Sequence, residues 1–351
     1  MHIVLVTDAW FPQVNGVVRT WSTMRHILMR WGHTVTVVHP EGGLTMPAPT
    51  EPSVRLSLRP RQQLLRALGG RVPDVLHIAT EGPLGLAARR MALQSNWAYT
   101  TSFHTLFPEY LRARMGIPRA LTWRYLRWFH APAARVLIPN RKLADYAKAK
   151  GLRRLNVWAR GVDATRFAPG PRTALDHLPR PIFMAAGRLA KEKNLDAFLE
   201  LDLPGSKVVV GSGPELARLQ RTYKQALFLG NHADTLLAAY YNAADVLVFP
   251  SRADTFGLVM LEAMACGTPV AAFDCDAPRA VIRPGVSGCI NDDLRQAALD
   301  ALALERSAVR SQALAYSWED IALDLLDALV PCAQPQSLSH RVPTYYNTRH
   351  T

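Results

Sequence analysis

The stretch DVLVFPSRADTFGLVMLEAMACGTPVAAF, residues 245–273, changes its periodicity twice within 29 residues. Asp245 to Pro250 is a short apolar run bounded by turn residues, as in a strand buried on both faces. Ser251 to Thr255 break that pattern. From Gly257 onward Leu258, Leu261, Met264 and Ala265 recur at helical spacing until Gly267, a residue suited to the position just past a helix end. The unit reads as strand, tight loop, helix and second strand.

Two acids, Asp254 and Glu262, frame the loop and the first helical turns. The unpaired N–H groups of a helix start, at Thr255, Phe256, Gly257 and Leu258, fall between them and favour an anion. A phosphate there, with a carboxylate on either side to accept hydroxyl hydrogen bonds, matches a sugar, a diphosphate and a ribose in a row.

The same alternation extends in both directions. IVLV and the following TDAWFPQVNGVVRT read as a strand, a loop carrying Asn15-Gly16 and a helix over about 17–31. This opens a Rossmann-like unit without GxGxxG, so no dinucleotide cofactor is indicated. HTVTVVHP is a second strand, followed by a loop rich in Pro and Gly; residues 74–80, 99–105 and 135–140 supply further strands, with helical patterns between them. Alternating strands and helices argue parallel sheets with helices on both faces. His104 closes one strand, where side chains reach the ligand crevice. Glu81, before Gly82-Pro83, is read as a cap for the helix at Leu84, with acceptor contact as the alternative. Residues 161–181 read as a linker. Beyond them Ile182 to Ala186 form a strand ending in Gly187-Arg188, with Lys193 five residues later; two cations at a strand end suit a leaving diphosphate. Ser317, with an acid three residues on, begins a last helix.

The 351 residues suffice for about two domains, each with its own core. No apolar run reaches the about 18 to 20 residues of a membrane span, and none resembles a signal peptide, so a cytoplasmic protein is expected. Cys266, Cys275, Cys289 and Cys332 form no CxxC pair and are expected as reduced thiols. Net charge is +13, unevenly spread: residues 1–160 hold 23 Lys and Arg against 7 Asp and Glu, and the remainder 18 against 21. Much of the excess lies at arginines 55, 59, 61, 66 and 71 and in residues 110–135, where Arg112, Arg114, Arg119, Arg124 and Arg127 interleave with Trp123, Tyr125, Trp128 and Phe129. That pattern fits an interfacial membrane helix or a packed helix pair with a solvated basic face.

DTFGLVMLEAMACGTPVAA resembles the signature of the GT-B retaining glycosyltransferases (glycosyltransferase family 4, glycosyl transferases group 1), which include sucrose synthase and bacterial mannosyl- and glucosyltransferases. GRLAKEKN and SFHTLFPEYLRARMG are similar to segments of that family, the latter to bacterial diacylglycerol glucosyl-, sulfoquinovosyl- and mannosyltransferases. The family usually has glutamate at both ends of the acid pair; Asp254 is one methylene shorter. Cys275, Asp276 and Ala277 stand where the family usually has paired glycines. The resemblance implies that Asp254 holds donor-sugar hydroxyls and Glu262 the ribose, that His104 lies beside the sugar, that Gly16 lets backbone approach the diphosphate, and that Arg188 and Lys193 stabilise it.

The expected architecture is α/β, two Rossmann-like doubly wound parallel-sheet domains with a cleft between them. Residues 1–165 would bind the acceptor and 166–316 the nucleotide sugar; 317–329 would cross back, and 330–351 form an irregular tail. The expected reaction moves a hexose from a UDP- or GDP-sugar to a membrane lipid, with no metal or other cofactor, on an anionic membrane surface at the inner face of the cell membrane. Diacylglycerol is the expected lipid; transfer to another glycan or lipid-linked acceptor, or a nucleotide-sugar 2-epimerase, is the alternative, and no nucleic-acid motif accompanies the basic half.

Overall fold

Two parallel sheets organise the chain in the computed structural model, which describes residues 1–13, 15–48, 51–104 and 106–333. The strands of the first half are β1 (His2–Val6), β2 (Thr34–Val38), β3 (Thr45–Ala48), β4 (Glu51–Ser57), β5 (Val75–Ile78), β6 (Thr100–Ser102), β7 (Arg135–Ile138) and β8 (Leu155–Val157). Among the described residues six of them pair in the order β2-β1-β5-β6-β7-β8, every neighbour parallel. The second half contributes β9 (Ile182–Ala186), β10 (Ser206–Val210), β11 (Leu227–Gly230), β12 (Val246–Phe249), β13 (Val270–Ala272) and β14 (Gly288–Ile290), in the parallel order β11-β10-β9-β12-β13-β14. Central strands such as β5 and β12 are buried throughout because helices cover both faces.

These orders locate a ligand crevice. In each sheet the chain winds outward in opposite directions from a central pair, β1/β5 and β9/β12, and crevices open beyond the carboxyl ends of such pairs. The loop after β9 carries Arg188 and Lys193, and the loop after β12 carries Asp254.

Between β2 and β5, the segment read as a loop contains the antiparallel β3–β4 ribbon and a helix, Pro60–Leu68. Its prolines sit where they cost little, Pro47 in a short ribbon and Pro60 at a helix start. The stretch read as a linker is also not free of structure. Phe167 and Leu175 are buried in the second core, and Thr173–Leu175 forms a 3-10 turn.

The chain passes between the sheets twice at one place. Val162 bridges Ser317 in parallel, and its N–H donates to the carbonyl of Tyr316 at 2.8 Å. Ser317 Oγ then accepts from the N–H groups of Glu319 and Asp320 and starts the helix Trp318–Ala328. That helix returns to the first sheet, placing Trp318, Ile321 and Leu325 among Ile3, Trp21, Met24 and Trp158. Burying Ile321 and Leu325 contributes about 1.5–3 kcal/mol each. Past the helix, Pro331 bridges Val75 and the Cys332 N–H donates to the Asp74 carbonyl, so the start of the expected tail is tied to the first sheet. Residues 334–351 lie outside the described residues.

Candidate active site

Asp254 sits in the loop after β12, its side chain 19% exposed. Oδ1 accepts from Lys193 Nζ at 2.5 Å, whereas Oδ2 is buried without a hydrogen-bond partner among the described residues. A buried carboxylate oxygen left unsatisfied costs about 1–3 kcal/mol, so the site is built to accept a further donor group. Lys193 closes the 3-10 turn Lys191–Lys193 beside it, and Arg188, one turn earlier, lies 4.0 Å from Glu192. Backbone crowding brings these loops together. Gly211 (φ +139°) lies so close to the Gly187 carbonyl that an added Cβ would stand 1.8 Å from it, and Leu189 N–H donates to Ser212 at 2.9 Å. The Gly-Ser-Gly turn thus supports the Arg188 loop from behind, and no side chain fits there.

Gly257 starts the helix Leu258–Ala265 with φ +88°, and a Cβ on it would meet Met260 and Phe249. This left-handed residue turns the strand-end loop into the helix, and no side chain caps the helix N-terminus. Phe256 is buried against the second core. Glu262 follows on the buried face, 3% exposed. Burial pushes its carboxyl above the ordinary range, with Arg19 and the Tyr241 hydroxyl pulling the other way. Tyr241 donates to Oε2 at 3.1 Å, and Arg19 Nη1 stands 3.0 Å from Oε1.

The first domain meets this loop directly. Thr255 Oγ1 donates to the carbonyl of His104 at 2.8 Å, and Asn140 Nδ2 donates to the carbonyl of Thr255 at 2.6 Å. Gly16 is the first residue of the helix Gly16–Arg30 and faces Leu258: an added Cβ would lie 3.8 Å from Leu258 Cδ1, an ordinary contact. The imidazole of His104 is buried, with Trp21 Nε1–H 3.0 Å from Nε2 and Arg160 Nη2 2.6 Å from Nδ1. Burial, and Arg160 beside it, hold the ring well below the usual histidine range. Arg160 is itself pulled down to about 9 by burial.

Glu81 does not cap the neighbouring helix. The N–H groups of Leu84 and Gly85 donate to Asp8, which reaches them from the end of β1. Glu81 instead lies 3.3 Å from His130 Nε2. Four further residues at the site, Arg19, Tyr241, Asn140 and Arg160, are assigned no role by the sequence reading above. Arg19 lies three residues after Gly16 and so on the same helix face, and Asn140, two residues past β7, caps the helix Arg141–Ala149; Tyr241 and Arg160 carry no such signal.

His77 is buried between Thr100 and Ser102 and pulled down to about 3. Unfolded histidine binds a proton below about pH 6.5, whereas folded His77 and His104 stay neutral well below that. The unfolded state therefore takes up more protons, and stability falls as pH drops from about 6.5 toward 3. The thermal midpoint is expected to decline between pH 7 and 5, and His77→Gln to flatten that slope; an unchanged slope in the variant would contradict the assignment.

Residues 14–166 match the family model "Glycosyltransferase Family 4" and residues 180–305 match "Glycosyl transferases group 1". A GDP-mannose-dependent alpha-mannosyltransferase of Mycolicibacterium smegmatis is 31% identical, over 93% of this chain and 96% of its own. This chain belongs to glycosyltransferase family 4. The family 4 glycosyltransferase is also 27% identical to an alpha-monoglucosyldiacylglycerol synthase of Streptococcus pneumoniae, over 86% of this chain and 78% of that protein. Its fold matches the sucrose-phosphate synthase of Thermosynechococcus elongatus with a TM-score of 0.78 at 20% identity, covering 93% and 97% of the two chains. The enzyme is thus a GT-B glycosyltransferase that uses a nucleotide sugar. Among its described residues no His, Cys, Asp or Glu cluster could hold a metal ion, the four cysteines are free, and no helix is long and apolar enough to cross a membrane.

Proposed function

We propose that the enzyme transfers a hexose, with retention, from a UDP- or GDP-sugar to a membrane lipid, diacylglycerol foremost. The observation that carries the donor half is Asp254, with one oxygen on Lys193 and the other buried and unsatisfied at the sheet's ligand crevice. A sugar hydroxyl donating to Oδ2 would complete it. Arg188 and Lys193 then stand where negative charge develops as the glycosyl–phosphate bond breaks, and fixed cations in a partly dry site stabilise that charge without reorganising. The leaving diphosphate takes the acceptor's proton on the same face of the sugar. Glu262 accepts from the ribose, and Gly16 leaves room for the diphosphate beside Leu258. His104 fixes the sugar loop through its carbonyl. Its buried neutral ring is no source of a proton.

The lipid acceptor rests on different support. Relatives of this chain include a glucosyldiacylglycerol synthase, and the charge excess lies on the first domain. Most of residues 110–135 falls in a helix pair, Phe107–Met115 and Arg119–His130, whose Trp123, Leu126 and Phe129 are buried. Leu121 and Trp128 face outward, 57% and 51% exposed, together with Arg124 and Arg127. Arg89 stacks on Trp128 at 3.9 Å. Apolar anchors ringed by arginine suit an anionic lipid surface, each surface cation contributing about 1 kcal/mol.

Mass spectrometry of products from a panel of UDP- and GDP-sugars with diacylglycerol tests the reaction; an epimerised nucleotide sugar formed without acceptor would replace it. The protein is expected to sediment with anionic vesicles at low salt and to be released as salt shortens the screening length. Equal binding to neutral vesicles, or none to either, would rule out electrostatic docking.

A further inference from the structure

Glu262 already has a cationic partner, and that partner belongs to the other domain. Arg19, on the first-domain helix Gly16–Arg30, places Nη1 3.0 Å from Glu262 and Nη2 2.8 Å from Asp234. Asp234 also accepts from Arg166 at 2.6 Å, and Arg166 Nε stands 3.6 Å from Asp163 Oδ2. A chain of alternating charges therefore runs from the segment joining the domains to Glu262. The contact flanks a cavity of about 250 Å³ lined by Arg19, Ser22, His26, Asp163, Phe167 and Glu262. That is less than the about 300–1,000 Å³ of a typical small-molecule site.

The partners differ in freedom. Glu262 is held in a buried helix face by Tyr241, its side chain 5% exposed. Arg19 is 33% exposed on a helix surface, its guanidinium 5.4 Å from the centre of the Phe167 ring, and is the more solvated of the two. One guanidinium holds two carboxylates of the second domain, so separating the domains breaks both contacts together, and a hydroxyl group that takes Glu262 displaces one of them.

We propose that Arg19 sets donor affinity by competing with the ribose for Glu262, the same contact drawing the two domains together. The proposal rests on Glu262 being the ribose acceptor. Occupation of Glu262 by ribose hydroxyls releases half of the Arg19 bridge and leaves Arg19 on Asp234. Donor binding is thereby weakened by the strength of one partly exposed ion pair, and closure is coupled to nucleotide occupancy.

Calorimetric titration of UDP and GDP into the wild type, Arg19→Gln, Glu262→Gln and the double variant tests this. Arg19→Gln should bind its nucleotide about 2- to 5-fold more tightly, the range of a partly exposed ion pair. The gain should vanish in the Glu262→Gln background, where the competition has no object. If Arg19→Gln binds more weakly or equally while Glu262→Gln binds more weakly, the competition is overturned and the ribose assignment stands. If Glu262→Gln binds as the wild type does, the ribose assignment itself fails, and the proposal with it. A gain of equal size in both backgrounds also overturns the proposal, because Arg19 would then act elsewhere.

Discussion

Replacing Lys193 by alanine is expected to lower turnover by about 100-fold or more with the fold intact, and Arg188→Ala to do the same. Lys193 lies in a surface turn with its side chain 29% exposed, and no core packing depends on it. Its partner is Asp254, so on the proposed mechanism the substitution removes both a cation from the leaving diphosphate and the anchor of the carboxylate that would meet the sugar. The two losses are one event. A Lys193→Ala, Asp254→Asn double variant should therefore fall well short of the sum of the single effects, as for residues acting as a unit. Steady-state rates at saturating donor, beside thermal melts, decide. Near-wild-type rates in both single variants would mean that the diphosphate lies elsewhere.

Glu262→Ala is expected to weaken nucleotide binding by about 1.5–3 kcal/mol, the worth of a hydrogen bond to a charged group. That corresponds to about 10- to 150-fold in Kd. The variant also strips the Tyr241 hydroxyl of its acceptor at the centre of the second core, and so loses some stability. Calorimetry on protein shown to be folded by its melt separates these effects. Unchanged affinity would remove Glu262 from the donor site.

Lys193 and Glu262 are both legible as chemistry in the sequence alone, because their signals are local. A run such as residues 246–249 buried on both faces has to be apolar, and a helix with one buried face repeats its apolar positions every three or four residues. Arg188, Lys193 and Asp254 come from strand ends, and in a parallel sheet every strand end points to the same edge. The number of sheets and their α/β class follow from that alternation. Within residues 39–74 the alternation is broken by prolines and glycines that serve a ribbon and a helix start equally well as a loop. The pattern there carries no period to read.

What the tertiary structure decided is the pairing of groups far apart in the chain. Asp8 caps the helix beginning at Pro83 because β1 and β5 are neighbours, which no spacing along the sequence encodes. Glu81, adjacent in sequence to that helix, turns to His130 instead. Asn140 reaches Thr255 and Arg19 reaches Glu262 because the two sheets face each other with their carboxyl edges, and Arg160 reaches His104 across the edge of the first sheet. Periodicity records which face of an element is buried, and burial is a property that each residue carries alone. An ion pair or hydrogen bond across a cleft depends on the positions of two elements at once, and one residue's place in the sequence holds no trace of the other. The residues proposed for the donor site are thus readable in the order of the chain, and the contacts between the domains only in their packing.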